Sequence, residues 1–501
     1  MMPLHWCLGQ TSPISYNVDI QAHVTGMPGN LLNDIWGYVR NGQEFAIVGS
    51  RSAINFFNVS DCANPVSVAV IEDGNTVIWR DFKTYGDYAY GVCDGNSTTC
   101  NRGLEIFRLS DYSWFRTTAF FSRAHNIFIE NGRLYAAGTN TRSNGLIILD
   151  IATNPESPSL LASMILPDGY VHDVFVRNDT AYASHGYNGY TVYDFTDLSD
   201  TSNPASFIIG SIQETNGYNH SSWIHPHDHY AFIAEEVPLG KPMYVYDLAD
   251  PANPHIVHTF KNPLEQIATN NVPHNPFVKD DILYIAHYHD GLQIYDVTDP
   301  LDPIRIGFYD TYPQNNGLGY SGYHGAWGVY PFLPSGCILV SDIENGFFTF
   351  RLSSHPLMSY VQEGDLYLKE PGAGIVIYDR NNEPVKIGID DMGELVRLNI
   401  SNLFAVGAEL NNSQVYIKHS GGLILTSPGG LMYKISMLGK NLSSTLISSL
   451  PDKYIELSSG NFLLKRKGSG IIFQNAGGVC LKFRWDKAGI PQQWIYGCPV
   501  E

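Results

Sequence analysis

Up to about residue 353 the chain alternates short apolar runs with clusters of Gly, Asp, Asn and Pro. Runs of this length bounded by turn formers predict β-strands, since a helix needs a longer stretch at 3.6-residue spacing. One pattern recurs: a short apolar strand, a loop, a second strand with a Gly and an Asp near its ends, then a Pro-led third strand. Its clearest copy, ILYIAHYHDGLQIYDVTDPLDPIRIG, follows Asp281, and others begin at Glu44, Asp87, Gly132, Asp179, His229 and Ser335. Successive starts lie 43, 45, 47, 50, 52 and 54 residues apart. Each copy is preceded by a further apolar run, such as 126–129 (NIFI) or 173–176 (DVFV). Four strands per unit at this period is the arithmetic of a β-propeller blade, whereas a β-solenoid would have shorter repeats. The pattern predicts a seven-bladed β-propeller over 12–355. The last unit lacks a fourth strand after FFTFRL (347–352), and a spare strand, YNVDIQAHV, occupies 16–24. That strand is expected to complete the seventh blade and remove an open sheet edge.

Beyond residue 356 a second repeat takes over, with copies at 364–391, 412–437 and 461–484. Lys369, Lys418 and Lys465 correspond, as do Lys386, Lys434 and Lys482. Each copy reads as strand, Gly turn, strand, turn, strand, the order of a β-meander. The expectation is a smaller all-β module over 357–501, made of three repeats of about 48 residues and serving attachment or oligomerisation. It would be either a compact unit with internal threefold symmetry or a stack of hairpins that completes its core as a homo-trimer.

Composition supports the all-β reading. Charged residues make up 16% of the chain, while Gly (47), Tyr (31), Pro (28) and Phe (24) are plentiful, which suits turns and pleated surfaces more than long helices. The net charge of −19 argues against nucleic acid and anionic membrane surfaces, both of which need a cationic face. No apolar stretch approaches the length of a transmembrane helix. The opening residues, Met1 to Cys7, lack the basic end and apolar run of a signal peptide, so the expectation is either numbering without a leader or another export route. The seven cysteines show no zinc spacing. Cys93 with Cys100 and Cys480 with Cys498 are disulfide candidates, which would suit an oxidising compartment; free buried thiols remain the alternative.

Candidate chemistry concentrates in histidine. Counting back ten residues from the central aromatic of the second strand leads from Tyr135 to His125, from Tyr182 to His172, from Tyr284 to His274 and from Tyr90 to Arg80. Neighbouring residues place His220, His324 and Asp34 at the same level in the other blades. Asp34, Arg80 with Asp81, His125, His172, His220, His274 and His324 would then ring one mouth of the central channel. Imidazoles ligate divalent metals and move protons near neutral pH, so a divalent metal is the one cofactor considered, with His125, His172 and His274 as candidate ligands. The other reading is structural: each side chain bonds to the next blade and sets the size of the ring. The cluster His225-Pro226-His227-Asp228-His229 reads as a surface hairpin. Gly-x-Ser-x-Gly, HExxH and phosphate-loop motifs are absent, so no catalytic residue is assigned. The adjacent carboxylates Glu235 and Glu236 define no reacting face by adjacency alone.

Several longer motifs carry a family resemblance. LNDIWGYV (32–39), WRDFKTYG (79–86), AHNI (124–127), YVHD (170–173), FYDTYP (308–313), GAWGVYPF (325–332) and SDIENG (341–346) resemble the choice-of-anchor B family, built from LVIVD-type propeller repeats. The resemblance covers about residues 12–353. It implies exported or surface-displayed proteins with varied C-terminal anchoring modules and no established enzymatic activity. The C-terminal hairpins, such as 422–430, resemble short segments of phage-type and surface fibres. The functional expectation is therefore a non-enzymatic, extracellular or cell-surface propeller that binds a protein or glycan partner. Exposed aromatic loops at 185–190 and 319–323 would stack on sugar rings. Two alternatives stand beside it: a virion or fibre component, and a metal-dependent enzyme using the channel histidines.

Overall fold

The computed structural model describes residues 15–352 apart from 142–144, 214–215, 263–269 and 316–319, together with the backbone of the strands between 360 and 496. Seven antiparallel sheets follow one another along the first part of the chain. The first is Leu32–Arg40, Gln43–Ser50, Ile54–Asn58 and Val66–Ile71, paired in chain order. The next five cover 79–117, 126–164, 173–212, 219–260 and 275–309. In the seventh, Ala326–Tyr330, Ile338–Asp342 and Gly346–Leu352 are followed by Val18–Val24, with Val18 opposite Leu352 and Val24 opposite Phe347. Ser15–Tyr16 adds to the outer edge of the sixth sheet. The architecture is an all-β, seven-bladed propeller. No helix among the described residues is long and apolar enough to cross a membrane.

Burial follows the strand order. In the first sheet Gln43–Ser50 and Ile54–Asn58 are almost wholly buried, while Val66–Ile71 is mostly exposed. The larger apolar clusters bridge adjacent sheets. Tyr135, Ile148 and Met164 of the third pack against Val174, Ala183 and Tyr193 of the fourth. Leu32, Ile35 and Phe57 of the first pack against Tyr330, Leu339 and Phe347 of the seventh. A propeller therefore has no single core; it has a ring of sheet-to-sheet cores. Gly37 faces the seventh sheet, and a Cβ there would lie 2.3 Å from the Tyr330 ring.

The boundary between the first and seventh sheets carries covalent and polar ties. Cys62 and Cys337 form a disulfide across a sequence separation of 275, a pairing that no local spacing in the sequence indicates. Glu44 accepts from the Ser335 amide and hydroxyl, both at 2.6 Å, and Thr349 Oγ1 donates to Cys62 O at 2.6 Å. Cys93 and Cys100 form a second disulfide, closing the loop between them. The side chains of Cys480 and Cys498 lie outside the described residues.

The chain divides into two compact units, the first containing 1–295 and 304–353. In the second, each repeat forms antiparallel hairpins, for example Leu423–Thr426 with Met432–Leu438. Its first strand, however, pairs with another repeat. Asp365–Leu368 runs parallel to Leu423–Thr426, Val415–Lys418 to Ile471–Gln474, and Asn461–Leu464 to Ile375–Tyr378. A meander within each copy would have made these pairs antiparallel and local. The observed cycle lets each repeat cover a strand edge of the next.

Loss of the Cys62–Cys337 bond frees a very long loop in the unfolded chain. Cys62→Ser with Cys337→Ser is expected to lower stability by about 2–5 kcal/mol, read as a lower melting temperature under non-reducing conditions. An unchanged melting temperature would show that the noncovalent ties at this boundary suffice.

Candidate functional site at the channel mouth

The innermost strand of each blade enters the channel from the same end, so residues at equivalent positions form layers around the axis. Polar side chains tie one blade to the next at these positions. Asp34 accepts from Phe82 N and Asp81 from Ile127 N, each at 2.8 Å. One residue earlier on the strands, His172 Nδ1 donates to His220 O at 2.8 Å and His274 Nδ1 to Trp327 O at 2.6 Å. Ser221 Oγ donates to His274 O at 2.6 Å. These bonds satisfy backbone groups at the channel wall that no sheet ladder reaches.

Three layers result. The outer one is an arc of imidazoles: His125 to His172, His172 to His220 and His220 to His274 have ring centroids 4.1, 4.3 and 4.4 Å apart. Below it lie Asp34, Asp81, Asp173 and Lys83, with Lys83 Nζ 2.7 Å from Asp81 Oδ1. The innermost layer is aromatic. Trp223 contacts Phe175, Phe277 and Phe332 at 4.9, 4.8 and 5.4 Å, and Lys83 Nζ sits 4.5 Å from the centroid of Trp36.

Burial sets the protonation of these layers. His172 and His220 are pushed well below the ordinary imidazole range by desolvation and then by neighbouring imidazoles, and His274 is lowered to about 3, chiefly by desolvation. All three are neutral at physiological pH. Asp173 is raised to about 7 by burial and then by the charge of Asp81, against the pull of Lys83. Asp34 is raised by the same causes. Burial would lower the Lys83 ammonium, but Asp81 and Asp34 outweigh it and hold the group above its usual range.

Around the arc stands a rim of tyrosines. Tyr170 and Tyr218 pack edge-on to His172 at 5.9 and 5.2 Å, and Tyr288 lies 4.4 Å from His274. Beyond them, Tyr187 is 64% exposed and contacts Tyr218, while Tyr323 is 39% exposed and contacts Tyr288. Glu236 lies among them, accepting from Tyr288 Oη at 2.8 Å. Burial raises its carboxyl above the ordinary range.

His125, His172, His220 and His274 thus come together on one arc. His125 Nδ1 is 3.0 Å from Asp94 Oδ2, and Asp94 follows directly on disulfide-bonded Cys93. His324 is not on the arc. It is half-buried, bonded through Nδ1 to Glu344 Oε1 and stacked on Tyr312, because the channel strand begins two residues later, at Ala326. Trp327 takes its level. Asp34 lies one position deeper than the histidines, level with Asp81, and Asn33 stands where the arc would continue. Arg80 is at the mouth, but its guanidinium is buried against Asp73, at 2.6 and 3.0 Å, and near Glu105. Of the proposed ligands, His125 and His172 do not join His274 in a ligating group. The group of possible metal donors found among the described residues is His220, Glu236 and His274, whose ligand atoms all lie within 4.8 Å of one another. Glu236 was missed because the second strand ends at Glu235 and only the turn after it aims the next carboxylate at the mouth. The turn at 225–229 is a hairpin turn, but His225 is buried in it, 3.3 Å from Asp281. In the aromatic loops Tyr190 and Tyr320 are buried, whereas Tyr187 and Tyr323 are exposed.

The LVIVD repeat family matches residues 124–165 and 277–311, which hold the third sheet and most of the sixth. The chain is a seven-bladed β-propeller carrying LVIVD repeats. No curated protein matches it. Among solved structures, the β-propeller domain of Myceliophteria thermophila Cps50 (Swd1) is similar at 10% identity and a TM-score of 0.46, over 68% of this chain and 100% of that one. The computationally designed Ika8 protein is similar at 6% identity and a TM-score of 0.42, over 64% and 83%.

The Asp173 carboxyl titrates near 7 in the folded chain against 3.8 for an unperturbed carboxyl. Between these values the unfolded chain binds fewer protons, so this group's stabilisation is present below pH 4 and is lost as pH rises through 7, by up to about 1.4 kcal/mol per pH unit. Asp173→Asn removes that loss. Its melting temperature relative to the unsubstituted protein is expected to rise from pH 4 to pH 8; a constant difference across that range would contradict the assignment.

Proposed function

We propose that this protein is a non-enzymatic, extracellular or surface-displayed binding propeller that meets its partner through the tyrosine-lined channel mouth. The domain division follows the sequence reading, with a propeller over 12–355 and an attachment module over 357–501. The observation that carries the reading is the pair Tyr187 and Tyr323, exposed rings held in place from behind by Tyr218 and Tyr288. A tyrosine ring offers a large apolar face and a polar hydroxyl at low entropic cost, which suits sugar rings and protein surfaces alike. Loops displayed by a rigid scaffold are where propellers bind. The Cys62–Cys337 and Cys93–Cys100 disulfides support an oxidising, extracellular setting. Val18–Val24 in the seventh sheet acts on this reading as the clasp that closes the ring, together with the disulfide beside it.

Glycan-array and pull-down measurements on the intact protein test the reading. Tyr187→Ala with Tyr323→Ala is expected to weaken the captured partner by about tenfold or more without changing the melting temperature. Full retention of binding by the double variant would move the interface elsewhere. For the attachment module, the cyclic strand pairing among the three repeats supports closure within one chain. A monomer is expected in sedimentation at micromolar concentration, and a trimer would restore the fibre-like alternative.

A further inference from the structure

We propose that His220, Glu236 and His274 form a binding site for a divalent transition-metal ion of the zinc class at the channel mouth. This does not depend on the partner-binding reading above.

The three side chains come from two neighbouring blades. His220 belongs to Asn219–Ile224, Glu236 directly follows Tyr230–Glu235 in the same sheet, and His274 directly precedes Asn275–Lys279 in the next. Two imidazoles and one carboxylate, leaving a fourth position for water or a partner's group, are a donor set that borderline divalent ions favour.

The surroundings of the donors supply the second argument. A metal-ligating side chain is normally fixed by a hydrogen bond through its other polar atom. His274 spends Nδ1 on Trp327 O at 2.6 Å, leaving Nε2 as its ligand atom. Glu236 accepts from the Tyr288 hydroxyl through Oε1 at 2.8 Å, leaving Oε2. That Oε2 faces His220 Nε2 at 4.0 Å, too far for a hydrogen bond.

His220 supplies the third. It is 5% exposed, and its Nδ1 has no hydrogen-bond partner among the described residues. The carbonyl that would serve it by analogy with His172 is His274 O; that atom already accepts from Ser221 Oγ at 2.6 Å and leaves His220 only a weak approach to it. A buried imidazole so poorly hydrogen-bonded loses free energy unless something else engages it. Donor atoms on one tetrahedral ion, at about 2.0–2.1 Å from it, stand about 3.3 Å apart. A small side-chain movement closes the present gap around such an ion.

The test uses the full-length, tag-free chain, stripped with a chelator and titrated with Zn2+ by calorimetry and with Co2+ by visible absorption. One ion per chain is expected, with Co2+ bands in the visible region. Glu236→Gln keeps the side-chain volume and the bond from Tyr288, and it should abolish stoichiometric binding, as should His274→Gln. Tyr288→Phe touches no donor atom and should weaken binding about 10–100-fold. Circular dichroism and melting temperature accompany each variant; if His274→Gln fails to fold, Glu236→Gln and Tyr288→Phe still decide. Absence of stoichiometric uptake by the unsubstituted protein overturns the proposal. So does uptake that is unchanged in Glu236→Gln and Tyr288→Phe, which would place the ion elsewhere, for example at the histidine-rich turn 225–229.

Discussion

Face-to-face packing of each sheet on its two neighbours is the interaction on which this structure rests. A sheet with two apolar faces loses free energy while either face is in water, and here each sheet buries apolar side chains against its neighbours. The clusters that join third to fourth and first to seventh sheets are links of one closed chain of contacts. Closure adds a demand that an open stack lacks, since the last interface must match the first. The disulfide between Cys62 and Cys337, the bonds from Ser335 to Glu44 and the Gly37–Tyr330 approach all fall at that interface.

Closure also creates the channel and dictates its chemistry. The inner strands converge there, and their outward-turned backbone groups need partners. Aspartate, serine and histidine side chains reach one blade ahead to supply them. The same lacing that holds the blades in register leaves a nitrogen of His274 and an oxygen of Glu236 facing the mouth. Structural and functional readings of the histidines therefore do not compete: one ring nitrogen can serve the fold while the other serves a ligand.

The fold was largely legible because each blade has to carry its own strands and turns, so seven similar stretches occur at a nearly constant period. The arc was legible as far as that period held, which is why His125, His172 and His274 follow from a simple count. It failed at His324, where the strand start is displaced and Trp327 takes the level, and at Asp34, where the match slipped by one residue. It could not find Glu236, whose approach to His220 depends on how a turn leaves its strand. It could not pair Cys62 with Cys337, since cysteines 275 residues apart meet only once the ring has closed. In the C-terminal repeats, strands were visible but not their partners, because parallel pairing between repeats leaves no local turn signal.

Local chemistry alone, through apolar runs, turn residues and their recurrence, determined that this chain builds a propeller of seven blades. Those features act over a few residues and survive without knowledge of what lies next door. Which imidazoles lie side by side, which carboxyls are held above their usual range and which tyrosines remain exposed were decided by the closed ring. Each depends on distances across the channel and on burial, and both quantities come into being only when distant strands are brought around a common axis.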